Sequence, residues 1–129
     1  MTPFDKISDY MLGNHLLSPY AGTFTQFFAD YDIDPSFALA TFILETGWGR
    51  SELWNNGNNA SGIICTYGEC YGEYQMYATK EEGIRAMFDT LQKYIDNLGL
   101  TTVDGIRSLW SQTEDSQLIL QIMNEIQEG

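Results

Sequence analysis

Between residues 37 and 44 the chain reads Phe-Ala-Leu-Ala-Thr-Phe-Ile-Leu, apolar on every side of a helical turn and interrupted only by Thr41. A helix that is hydrophobic all round belongs in a protein interior, so this run predicts a buried central helix. Asp34-Pro35-Ser36 precedes it and sets a capping side chain before a proline at the first helical position. The first charge is Glu45, and Thr46-Gly47 follows, with glycine a natural stop because it tolerates left-handed backbone. A carboxylate is therefore expected where the buried helix emerges.

The other segments arrange around that helix. Residues 5–17 and 23–31 read as helices of mixed periodicity, and Trp54-Asn55-Asn56-Gly57-Asn58-Asn59 reads as turn. Ile63-Ile64-Cys65 and Tyr71 to Tyr77 look like two short strands around a glycine-containing loop, a small hairpin. Thr79 with Glu82 three residues on makes a capping box. Ile84, Met87, Phe88, Leu91, Ile95 and Leu98 then recur at helical spacing. Thr102 to Trp110 predicts a short helix, and Leu118, Ile119, Ile122, Met123 and Ile126 make one face of a final helix. The expected class is mostly α (α+β), a helical body with a small β-hairpin lobe. With 129 residues, 43% hydrophobic content and no repeat or linker, one domain over 1–129 is the expectation.

Charge narrows the partners. Eighteen acidic against six basic residues give a net charge of −12, leaving no basic face for nucleic acid or an anionic membrane. The longest apolar run falls far short of the roughly 20 residues of a membrane span. The start, Met1-Thr2-Pro3-Phe4-Asp5-Lys6, lacks the basic and apolar stretches of a secretory signal, which implies a trimmed chain or another export route. One histidine and two cysteines are too few for a zinc site, and no metal or cofactor is implied. Cys65 and Cys70 are separated by Thr66-Tyr67-Gly68-Glu69, a loop able to fold back, so a disulfide is the favoured reading and points to an extracellular destination. Two reduced cysteines in a cytosolic protein are the other reading that this spacing leaves.

Glu45 is the residue with chemical promise. Partial desolvation and the negative end of the helix dipole both disfavour its charged form, as a general acid requires. A simple pairing with Arg50 is the competing role. Trp48 and Trp54 follow closely, and Tyr67, Tyr71, Tyr74 and Tyr77 crowd the hairpin. Aromatic faces with polar tips suit the ring faces and hydroxyl edges of sugars. His15, placed in the first expected helix, reads as a surface or boundary residue rather than a member of a Ser-His-Asp or Cys-His set.

Residues 40–51, Ala-Thr-Phe-Ile-Leu-Glu-Thr-Gly-Trp-Gly-Arg-Ser, followed by Asn55-Asn56-Gly57-Asn58-Asn59-Ala60-Ser61-Gly62-Ile63, resemble the glucosaminidase domain of glycoside hydrolase family 73, whose members cut bacterial peptidoglycan. Tyr74 to Ile84 resembles the family segment in which aromatics precede a capped helix, and Thr101 to Ile106 resembles a late element of such domains. The likeness spans about 38 to 106. It implies a lysozyme-like fold with the sugar chain between helical body and β lobe. It also implies Glu45 as general acid and Tyr77 as an aromatic of the cleft, with Asn58 and Asn59 either shaping it or touching sugar; Trp48 and Tyr74, from the aromatic cluster around Glu45 and the hairpin, are further candidates for sugar contact. A second carboxylate, where one is used, would come from the β lobe, leaving Glu69 and Glu73 as candidates.

The implied activity is an endo-N-acetylglucosaminidase acting on peptidoglycan glycan strands at the cell wall or outside the cell. Muramidase, lytic transglycosylase and a non-catalytic peptidoglycan-binding or assembly module are the alternatives. An autolysin fragment, a phage lysin and a wall-remodelling part of a secretion apparatus are all compatible settings.

Overall fold

In the computed structural model, which describes residues 3–98 and 116–128, the apolar run lies at the centre of a helical body. The helices are α1 (Pro3–Leu12), a 3-10 turn (Ser18–Tyr20), α2 (Ala21–Asp30), α3 (Pro35–Thr46), α4 (Glu52–Gly57), α5 (Lys80–Leu98) and α6 (Ser116–Glu128). Between α4 and α5 come β1 (Cys70–Tyr71) and β2 (Tyr74–Gln75).

α3 begins as its sequence dictates. The Asp34 carboxylate accepts from the backbone N–H of Ser36 at 2.9 Å and of Phe37 at 3.4 Å, and Pro35 fills a position that needs no donor. From Ser36 to Ile43 every side chain is buried. α3 packs chiefly against α6 and also against α1. Rings close the core edge to face: Phe24 meets Phe42 at 5.3 Å and Phe88 at 5.6 Å, and Trp54 stands perpendicular to Phe42 at 4.9 Å. α6 contributes Ile119, Ile122 and Ile126. Leu118 departs from the expected face and is 48% exposed, since it sits about 100° round the helix from Ile119.

Element boundaries differ from the sequence reading for identifiable reasons. α1 stops at Leu12, where the chain turns with Gly13 N–H on the Asp9 carbonyl and the Asn14 side chain accepting from Leu16 N–H. His15 is thus an exposed turn residue outside any helix. Residues 52–57, expected as turn, are helical because Ser51 Oγ accepts from Trp54 N–H at 3.1 Å and Trp54 is buried. Burial of that indole and the cap outweigh the poor propensity of Asn-Asn-Gly. α4 ends at Asn58 in left-handed backbone, φ 56°, and Lys80 donates to the Trp54 and Asn55 carbonyls of its last turn while lying over the Trp54 ring.

The hairpin is also shifted. Its strands are β1 and β2, joined by Gly72-Glu73 with Gly72 at φ 61°, the positive angle a glycine-led tight turn needs. Residues 63–65 reduce to a bridge between Ile64 and Tyr74, on the edge of β2 away from β1. The capping box forms at α5: Thr79 Oγ1 accepts from Glu82 N–H, and Glu82 Oε2 accepts from Ala78 N–H. Ile84, Met87, Phe88 and Leu91 of α5 are fully buried. The helix expected over Thr102 to Trp110, and the Thr101 to Ile106 element, lie outside the described residues.

Candidate active site

The site starts from the way α3 ends. Gly47, Trp48 and Gly49 follow one another in left-handed backbone at φ 58°, 62° and 83°. Trp48 is the unusual member, because its Cβ crowds the following carbonyl there at a cost of about 1–2 kcal/mol. Its neighbours hold it in place. Trp48 N–H bonds to Ile43 O at 2.9 Å, and Thr46 Oγ1 donates to Phe42 O while accepting from Gly49 N–H at 2.9 Å. The half-buried indole then lies 6.3 Å from the ring of Tyr10.

Glu45, on the last turn of α3, is half-buried. It reaches toward the loop after α4: a Cβ on Gly62 would stand 4.0 Å from Glu45 Oε2, and Gly62 has φ 71°. Beside it, Ser61 Oγ is buried without a hydrogen-bond partner among the described residues, in a residue 5% exposed.

Asn59 builds that loop. It is 1% exposed, and its Nδ2 donates to the carbonyls of Ile63 and Gln75, both at 2.9 Å. Its Oδ1 accepts from Ser61 N–H and Ile63 N–H. All four bonding positions of the amide are spent on backbone, so it ties α4, the loop and β2 together. Asn58, half-buried, donates from Nδ2 to Tyr77 O at 2.9 Å.

Gln75 does for the lobe what Asn59 does for the loop, and the sequence reading missed it. At 1% exposure its Nε2 donates to Tyr67 O at 2.7 Å and its Oε1 accepts from Thr66 and Tyr67 N–H. A lone amide among aromatics in Tyr74-Gln75-Met76-Tyr77 was the available signal. The segment it pins is closed by a disulfide between Cys65 and Cys70, whose Cα atoms are 5.7 Å apart.

The structure brings Asn58, Glu69 and Tyr77 together around an open depression of about 450 Å³, with Asn56, Met76 and Ala78. Burial, then the neighbouring Tyr67 and Asp89, push the Tyr77 phenol up to about 12, so it stays a hydrogen-bond donor at neutral pH. Glu73 stands apart from this group, exposed on the hairpin turn. Tyr74 is half-buried in β2. Among the described residues no three His, Cys, Asp or Glu side chains converge as a metal site.

The site thus holds a half-buried acid that ends a core helix and lies near Gly62 of an amide-braced loop. Residues 21–126 match the model of the glucosaminidase family, described as mannosyl-glycoprotein endo-beta-N-acetylglucosaminidase. The chain belongs to this family, glycoside hydrolase family 73, and is thus a member of a family of glycoside hydrolases. Neither the curated proteins nor the solved structures searched give a match. The family acts on peptidoglycan glycan strands, which suggests action at the cell wall or outside the cell. No helix among the described residues is long and apolar enough to cross a membrane.

Proposed function

We propose that the domain hydrolyses a β-1,4 bond of peptidoglycan glycan strands on the N-acetylglucosaminyl side, in a lysozyme-like cleft between helical body and β lobe, with Glu45 as proton donor. The observation that carries this reading is the place of Glu45, at the end of the buried helix and across from Gly62, in a chain of the glucosaminidase family. Glu45 protonates the bridging oxygen as the bond breaks. Trp48, Tyr74 and Tyr77 provide ring and hydroxyl contacts, Asn58 and Asn59 hold the cleft's shape, and exposed tips of the lobe contact the strand.

Three routes complete the reaction. A second carboxylate about 5 Å from Glu45 would form a covalent intermediate, one at roughly 6.5–9.5 Å would activate water, and without either the substrate's own N-acetyl oxygen would attack. Of the two lobe carboxylates we favour Glu69, a reading supported by the depression it lines with Tyr77 and Asn58.

Mass spectrometry of fragments released from purified wall tests the reading. New reducing-end N-acetylglucosamine is expected. Reducing-end N-acetylmuramic acid would assign a muramidase and anhydro ends a transglycosylase. No release at all would reject catalysis in favour of a binding module.

A further inference from the structure

We propose that the depression formed by Asp9, Tyr10, Gly13 and Asn14 is an accessory subsite for an uncharged N-acetylhexosamine unit of a glycan strand, contributed by a segment that precedes the family-matched residues 21–126. This rests on the glycan-cleaving reading above and adds to it a binding element of this chain's own.

The depression has a volume of about 350 Å³ and sits where α1 ends and the chain turns. Its lining has the mixed character that a sugar requires, one aromatic face and polar groups still able to bond. Tyr10 supplies the ring. The Asp9 carboxylate and Asn14 Nδ2 have no hydrogen-bond partner among the described residues, whereas Asn14 Oδ1 is held by Leu16 N–H at 2.9 Å. That bond fixes the amide and leaves its NH₂ group to donate.

Trp48 connects this place to the chemistry. Its ring braces Tyr10 at 6.3 Å, and its own backbone is held at φ 62° to put it there. Side chains kept in such sparsely populated conformations cluster where function uses them. Trp48 is three residues beyond Glu45, so their Cα atoms are at most about 11 Å apart, within the span of a polymeric substrate.

Charge selects the occupant. None of the four lining residues is cationic, Asp9 is exposed, and Glu125 lies near enough to add to burial in raising the Tyr10 phenol. A sugar bearing a carboxylate meets like charge here, which disfavours it. An uncharged N-acetylhexosamine does not.

The test titrates hexamers of β-1,4-linked N-acetylglucosamine into the Glu45→Gln chain by calorimetry, so that no cleavage intervenes, and repeats this with Asp9→Ala, Asn14→Asp and Tyr10→Ala added. The Asp9 side chain makes no hydrogen bond within the described residues and its backbone bond to Gly13 N–H is kept in Asp9→Ala, and Asn14→Asp keeps the acceptor for Leu16 N–H, so both variants retain the fold. Kd is expected to rise about tenfold for Asn14→Asp and for Tyr10→Ala. Hexamers carrying lactyl carboxylates should bind more weakly than neutral ones, and Asp9→Ala should narrow the gap, which a merely structural role would not do. Kd within twofold across all three variants, or no binding of the neutral hexamer, overturns the subsite. Variant-sensitive binding in a chain whose wild type cleaves no wall would keep the subsite and reject the enzyme; cleavage with unchanged Kd would do the reverse.

Discussion

The carbonyl oxygen of Asn58 lies 1.7 Å from where a Cβ on Gly83 would stand. Only glycine lets the first turn of α5 approach the end of α4 this closely, and the obstructing atom is backbone, which cannot swing aside. We predict that Gly83→Ala lowers stability by about 3 kcal/mol, the upper range for forced overpacking, and that urea or thermal unfolding will show it. Gly22→Ala is the contrast. That glycine is exposed in α2 with nothing near its Cβ position, so the change should stabilise by about 0.5–1 kcal/mol.

Asn59→Asp keeps the shape of the side chain and removes both donors. Its new oxygen would then face the Ile63 and Gln75 carbonyls in a site with almost no access to water. A loss of about 2–4 kcal/mol is expected, together with faster hydrogen exchange in residues 61–75 than in α3. Wild-type protection of that segment in the variant would show that the amide does not hold the loop.

Two tyrosines should titrate late. Burial is the first cause for both, with Asp89 adding to it, and the Tyr31 and Tyr77 phenols each rise to about 12. Each binds its proton more tightly folded than unfolded, so the stability they contribute is complete below about pH 10 and is lost as pH climbs toward 12. Absorbance titration of the native protein should resolve a late class of phenols, and Tyr77→Phe should shrink it. Equal titration of all tyrosines near pH 10 in the folded state would contradict this.

How much of this was legible beforehand depended on the range of the forces involved. α3 was readable because its cap, proline, apolar run and terminal glycine are all local, and the same is true of the Thr79–Glu82 box that opens α5. α4 was not, because Asn-Asn-Gly argues for a turn and only Ser51 and the distant packing of Trp54 against Phe42 and Lys80 reverse it. The hairpin's place depended on which glycine turned the chain, and Gly72 prevailed over Gly68 once β1 paired with β2. The place of Glu45, on the last turn of the buried helix, could be read from the local sequence. Gln75 and Gly62 owe their places to contacts with other segments that no short motif encodes.

The two carboxylates of the lobe should separate by function. Glu69 shares the depression with Tyr77, whereas Glu73 sits exposed on a hairpin turn. Glu69→Gln is expected to cut the rate of wall cleavage at least tenfold more than Glu73→Gln, measured as reducing ends released at saturating wall. Equal, mild effects would assign the attack to the substrate's N-acetyl group.

The most direct test replaces the Glu45 carboxyl by an amide of the same shape. Glu45→Gln preserves size and leaves the helix end intact, so the variant should unfold at the wild-type temperature within a few degrees. Its kcat for release of glycan fragments from purified cell wall should fall by at least about 100-fold, the lower range for loss of a general acid. A folded Glu45→Gln chain that clears walls as fast as the wild type would contradict the role given to Glu45.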